Sequence, residues 1–183
     1  MSNYPYIIAC LPDLQLDFKS GDFNFAALVG EIKTLCGEKD RRLIDWLVHG
    51  LEDAKATEPF YKAAAKSPSR FIRSYFAFDR TLREEKVSFL EGKGPATDCD
   101  EMEGVRPLFK EKNLIEREKK LDTVRWQKAC DLVLGDIFDI DIILSFLSRA
   151  AIVARWSRLD PQEGERLFRN LVDEVRGTFK MKN

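Results

Sequence analysis

Two long segments of this chain carry charged residues inside their apolar faces, and the second leads directly into a nearly all-apolar helix. At 100° per residue, Asn113 to Leu134 places Leu114, Ile115, Leu121, Trp126, Ala129 and Leu132 on one arc, together with Glu118, Asp122 and Arg125. Pro68 to Leu90 repeats the arrangement: Phe71, Ile72, Tyr75, Phe76, Phe78, Leu82 and Phe89 share a face with Asp79 and Arg83. Charges so placed are expected to meet one another across packed helices, because a buried charge survives only when paired. The next segment, Asp141 to Leu159, is apolar except for a narrow stripe of Asp141, Ser145, Ser148 and Arg155. A helix apolar over so much of its circumference is packed on most sides.

Shorter patterns fill in the rest. Tyr4 to Leu16, broken by Pro5 and Pro12, reads as an extended arm or short helical turn docked on the body. Phe25, Leu28, Val29, Ile32 and Leu35 have helical spacing, with Gly37 expected to close the helix in the left-handed conformation. Leu43, Ile44, Leu47, Val48 and Leu51 give a second helix, closed around Lys55 to Pro59. Ser67 and Pro68 are the expected cap and first-turn proline of the third. Between 92 and 112, Gly92, Gly94, Pro95, Gly104 and Pro107 lie among the acids Asp98, Asp100, Glu101 and Glu103 and predict a mobile linker or partner-facing loop. Asn113 with Glu116 opens the fourth helix, and Gly135 with Asp136 interrupts it. Asp160, Pro161 and Glu163 start a last amphipathic helix carrying Leu167, Leu171, Val172 and Val175. The expected fold is an all-α bundle of about six helices in two packed subdomains, residues 1–91 and 113–183, joined by the 92–112 linker.

Composition narrows the function without naming a chemistry. The 183 residues hold 30 basic and 31 acidic side chains, so no global field draws the chain to nucleic acid or anionic lipid. Cys10, Cys36, Cys99 and Cys130 are scattered, with no CxxC pair, and read as reduced thiols of a cytoplasmic protein. No stretch approaches the ~20 apolar residues of a membrane span, and the apolar run Tyr6 to Leu11 is too short for a signal peptide's core.

Phosphate loops, metalloprotease helices and nucleophile elbows are missing, and no cofactor is expected. His49, the only histidine, lies opposite the apolar stripe of its helix and reads as a surface residue. Glu118 and Asp122, one turn apart, would suit an inward metal site, but Arg125 stands where a ligand histidine would help. The favoured reading of Asp79, Arg83, Glu118, Asp122 and Arg125 is therefore a structural ion network, with no catalytic or metal residue. Arg149, Arg155 and Trp156 are the candidates for a partner-binding rim.

Several segments together resemble known families. Tyr6-Ile7-Ile8-Ala9-Cys10-Leu11-Pro12-Asp13-Leu14 is similar to the "YYxLxSLPxL" opening of a bacterial family of unassigned function encoded beside V-type ATPase subunits. The segment from Ile115 to Trp126 resembles its "ERExxLDxxRW" stretch. Phe138 to Leu147, with Arg155-Trp156 and Leu159-Asp160, resembles its C-terminal helix pair and also helices of the V/A-type ATPase subunit called C in prokaryotes and d in eukaryotes. That subunit is an all-helical funnel of three-helix bundles, seated on the membrane rotor ring and receiving the central shaft. The resemblance implies a non-enzymatic coupling subunit, with ring and shaft as partners and only indirect membrane attachment on the cytoplasmic side. A reduced funnel fits the shorter chain. The alternative is a helical adaptor or assembly factor without catalytic activity.

Overall fold

The computed structural model describes residues 2–19 and 21–180, with side chains at 161 and 174–180 excluded; Val175 of the expected last stripe falls among the latter. Among the described residues the fold is all-helical, without a strand. Nine α-helices follow in order: α1 (Tyr4–Ala9), α2 (Phe25–Leu35), α3 (Glu38–Leu51), α4 (Glu58–Ala64), α5 (Arg70–Leu90), α6 (Asp100–Glu103), α7 (Leu114–Asp131), α8 (Ile140–Ser157) and α9 (Pro161–Lys180). A 3-10 turn, Arg106–Lys110, lies between α6 and α7.

α8 is the axis of the bundle. It packs against α1, α2, α3, α5 and α7, and Ile143, Leu144, Leu147 and Ala150 have no solvent exposure. Three members of its expected polar stripe, Asp141, Ser145 and Ser148, are buried too, and each is satisfied; the fourth, Arg155, is exposed. Ser145 Oγ donates to the Ala129 carbonyl at 2.6 Å and Ser148 Oγ to the Leu144 carbonyl at 3.0 Å. Asp141 accepts from Ser69 Oγ at 2.8 Å and from the Phe71 amide at 3.2 Å, so a side chain of α8 caps the first turn of α5.

The main core draws on both expected subdomains: Ile32, Ile44, Leu47, Phe71 and Phe76 pack with Ala129, Ile143, Leu144 and Leu147. A second, smaller core holds Phe78 and Leu82 of α5, Leu121 of α7, and Met102, Val105 and Phe109. The last three belong to the segment expected as a mobile linker. Instead of a loop, 92–112 contains α6 and the 3-10 turn, with Met102 fully buried and Glu85 of α5 holding Arg106 at 3.0 Å. The spacing of Met102, Val105 and Phe109 serves one apolar face, which glycine and proline content concealed.

Other boundaries also shift. Gly37 is not left-handed; with φ −72° and ψ 166° it is the N-cap of α3. α5 begins after Ser69, not Ser67, because Ser69 Oγ accepts from the Ile72 amide at 3.1 Å. Pro59, expected to close a helix, instead lies in the first turn of α4, a helix the hydrophobic pattern does not reveal. α7 stops at Asp131, leaving Leu134 86% exposed. Asn113 caps α7 as expected, accepting from the amides of Ile115 and Glu116, yet Leu114 and Ile115 of its apolar arc are exposed.

Candidate functional site: an alternating ion ladder

Helical spacing places Asp79, Arg83 and Lys86 along one face of α5 and Glu118, Asp122 and Arg125 along one face of α7. The two faces meet, and α8 closes over the α7 side. The result is a ladder of alternating charge. Asp53 takes Arg83 Nη2 at 2.7 Å, and Arg83 Nε reaches Asp79 at 2.7 Å. Arg125 Nε lies 3.6 Å from the other oxygen of Asp79, and its Nη1 donates to Asp122 at 3.0 Å. Arg155 of α8 spans Asp122 at 3.0 Å and Glu118 at 2.9 Å. Lys86 Nζ ends the series on Glu118 at 2.8 Å.

Four carboxylates thus alternate with four cations, and formal charge cancels within the cluster. The middle is dry. Asp79 is 5% and Asp122 1% exposed. Neutral donors fill the remaining carboxylate positions: Tyr61 Oη donates to Asp79 at 2.7 Å and Trp156 Nε1 to Asp122 at 2.8 Å. A buried charge set with its lone pairs satisfied is stable; one with a member removed is not.

Protonation follows from this packing. Burial pushes the Glu118 carboxyl up, but hydrogen bonds and charge from Lys86 and Arg155 outweigh it and hold the group below the ordinary carboxylate range. Burial disfavours the charged Arg125, yet Asp79 and Asp122 more than restore it and raise its pKa. The Tyr61 hydroxyl is pushed well up, first by burial and then by the Asp79 charge beside it. Glu85, in the second core, is held low by its Arg106 hydrogen bond. Both depressed glutamates contribute stability that is present above the unfolded value of about 4.3 and lost as pH falls through the lower folded values. Urea midpoints measured against pH are therefore expected to fall below pH ~4.3, with a shallower fall in Glu118→Gln than in the parent.

The five residues expected as an ion network lie together. The expected rim residues divide. Arg155 has an exposed side chain but is clamped to Glu118 and Asp122. Trp156 is 7% exposed, so the rim position expected for it is corrected to an interior one, set by the indole's bond to Asp122. Arg149 is half-buried over the Trp126 ring, 5.3 Å from its centroid, and its buried Nε has no acceptor among the described residues. His49 is exposed.

Sequence reasoning missed three members. Lys86 was legible, since it lies one heptad beyond Asp79 on the same face. Tyr61 sits on the unforeseen α4, and Asp53 lies in the turn after α3; neither carries a sequence signal for this role.

A second acidic group is structural. Asp136, Asp139 and Asp141 bring carboxylate oxygens within 4.8 Å of one another. Asp136 pairs with Arg70, Asp139 caps α8 through the Ile142 amide, and Asp141 caps α5. Their proximity follows from two helix N-termini meeting at one corner.

The chain is similar over residues 97–178 to a family whose model is described as "Protein of unknown function (DUF2764)". That stretch runs from α6 through most of α9 and contains the α7 and α8 halves of the ladder. No curated protein and no solved structure matches the chain.

Proposed function

We propose that this protein is a non-catalytic coupling subunit of a bacterial V/A-type ATPase, linking the membrane rotor ring to the central shaft. The observation that carries the reading is the ladder: Glu118, Asp122, Arg125, Arg155 and Trp156 lie in the segments through which the chain resembles the ATPase-associated families, and all five meet in one hydrogen-bonded cluster. A part that transmits torque needs helices that do not slide, and a paired charge cluster across α5, α7 and α8 resists sliding. No helix among the described residues is long and apolar enough to cross a membrane, and attachment to the inner membrane through ring and shaft is part of the proposal. The second reading is a helical adaptor or assembly factor, favoured by the exposed apolar stripe Leu167, Phe168 and Leu171 on α9.

Arg149 is the cleaner test residue, because reversing Arg155 would also break the ladder. Arg149→Glu is expected to lower co-purification of rotor-ring and shaft proteins from native membranes roughly tenfold, the scale of one interface anchor, while the melting temperature stays within a few degrees of the parent. Recovery equal to the parent's removes Arg149 from the contact. Recovery of the parent chain without ring or shaft proteins refutes the coupling role and leaves the adaptor.

A further inference from the structure

After α1 the chain runs along the bundle without helix or strand. Among the described residues no backbone hydrogen bond ties residues 12–19 to the helices; the amide of Lys19 meets only the side chain of Asp17. The segment is fastened by side chains. Leu11 and Leu14 lean on the main core. Phe18 sets its ring edge-on against Trp156, centroids 5.2 Å apart and planes at 81°, with the Lys119 ammonium 6.0 Å from the ring.

Phe18 has φ +52°, the left-handed region, and no other non-glycine among the described residues has positive φ. An L-residue with a bulky side chain enters that region at a cost. Here the aromatic contact offsets the cost, and the two nearly balance. Beneath Phe18 lies the Trp156 indole, whose N–H donates to Asp122. Just beyond the segment, the Gly21 amide donates to the carbonyl of Ser157, the last residue of α8, at 3.3 Å.

We propose that residues 12–19 are a releasable strap, keyed by Phe18, that lifts from the folded bundle as a unit and bares Trp156, whose indole is bonded to Asp122 of the ion ladder. A segment without backbone hydrogen bonds to the helices, held by a few side chains of which the aromatic key is strained, belongs at the low-stability end of the structure. The helices beneath it are tied by buried side chains and do not need it to stay folded. The inference is independent of the assembly in which the protein works. Lifting the strap also frees the Gly21 contact at the point where α8 gives way to α9, so the cover and the base of the last helix are released together.

Native-state hydrogen exchange of the full chain, followed by NMR at rising sub-denaturing urea, tests this with three reporters: the Trp156 indole N–H, the Gly21 amide and the Leu147 amide in the middle of α8. The first two are expected to exchange well before Leu147 with almost no response to urea, because strap opening exposes little surface. Phe18→Ala should speed those two roughly tenfold, the scale of one aromatic pair, and leave Leu147 unchanged. Phe18→Tyr, which keeps the ring, should match the parent. The proposal is overturned if the indole follows the urea dependence of Leu147 in the parent, if Phe18→Ala leaves the indole rate unchanged, or if it speeds all three reporters by one factor. Should Phe18→Ala fail to fold, the parent and Phe18→Tyr urea series decide the question.

Discussion

Arg125→Ala is expected to cost about 3–5 kcal/mol of unfolding free energy, a large share of the ~5–15 kcal/mol that holds a domain of ordinary stability. Among the described residues Arg125 is the only cation that touches both inner carboxylates, Asp79 at 3.6 Å and Asp122 at 3.0 Å. Removing it leaves two negative charges facing each other across α5 and α7, each with only its outer cation. Arg83 and Arg155 cannot compensate, since each is already engaged with a second acid on its outer side. Urea unfolding followed by circular dichroism reads the loss directly as a midpoint shift with unchanged slope. A variant as stable as the parent would show that the middle of the ladder is hydrated in solution. Replacing Asp79, Asp122 and Arg125 together by apolar residues should cost less than Arg125→Ala alone, because burying no charge is cheaper than burying two carboxylates that have lost their shared cation.

Gly50→Ala should show the opposite of what helix propensity teaches. Gly50 lies in the last turn of α3, where alanine ordinarily gains at most about 1 kcal/mol. A Cβ there would come 2.6 Å from Cε1 of Phe76, and closer still to the ring tips of Phe60 and Phe76. Those rings are buried and packed edge to face with centroids 4.8 Å apart, so neither can turn away. Overpacking of this kind costs on the order of 3 kcal/mol at its upper range, leaving a net loss of about 2 kcal/mol after the propensity gain. Gly30, in α2, has nothing within 4 Å of the corresponding position, and Gly30→Ala should stabilise by roughly the propensity difference. Thermal melts that shift both variants in the same direction would contradict the close approach at Gly50.

The long helices and the inner charges were legible because both obey the helical period: Asp79 and Arg83, or Glu118, Asp122 and Arg125, fall on arcs whose other members are Leu82 and Leu121. Partnership across helices was legible only as a demand that charges be met. Arg155 looked like a rim residue because it ends a helix; it becomes a clamp only when α8 turns back along α7. Trp156 was ambiguous for the same reason, since an indole with one polar edge suits a rim or a buried acceptor equally well. The packed 92–112 segment was hidden by local composition, where glycine and proline outvoted three apolar residues that only tertiary contact brings to one face. Gly50 left no trace in the pattern at all. A close approach is a property of the neighbours, and Phe60 reaches it from a helix that begins at a glutamate-proline pair usually read as a break.

The placement of charge along α5 and α7 acts like the teeth of a key. Asp79 and Lys86 are one heptad apart, as are Glu118 and Arg125, and antiparallel packing sets each acid against the other helix's base. Sliding either helix by a heptad would keep most apolar positions facing inward, so greasy contacts alone would tolerate the error. The same slide would oppose Asp79 to Glu118, or Lys86 to Arg125. At ~4 Å and an effective dielectric near 20, each such encounter is worth about 4 kcal/mol of repulsion where the native alignment has attraction. The helix pair therefore has one permitted alignment, and a chain that starts to pair out of step is turned back before it can close.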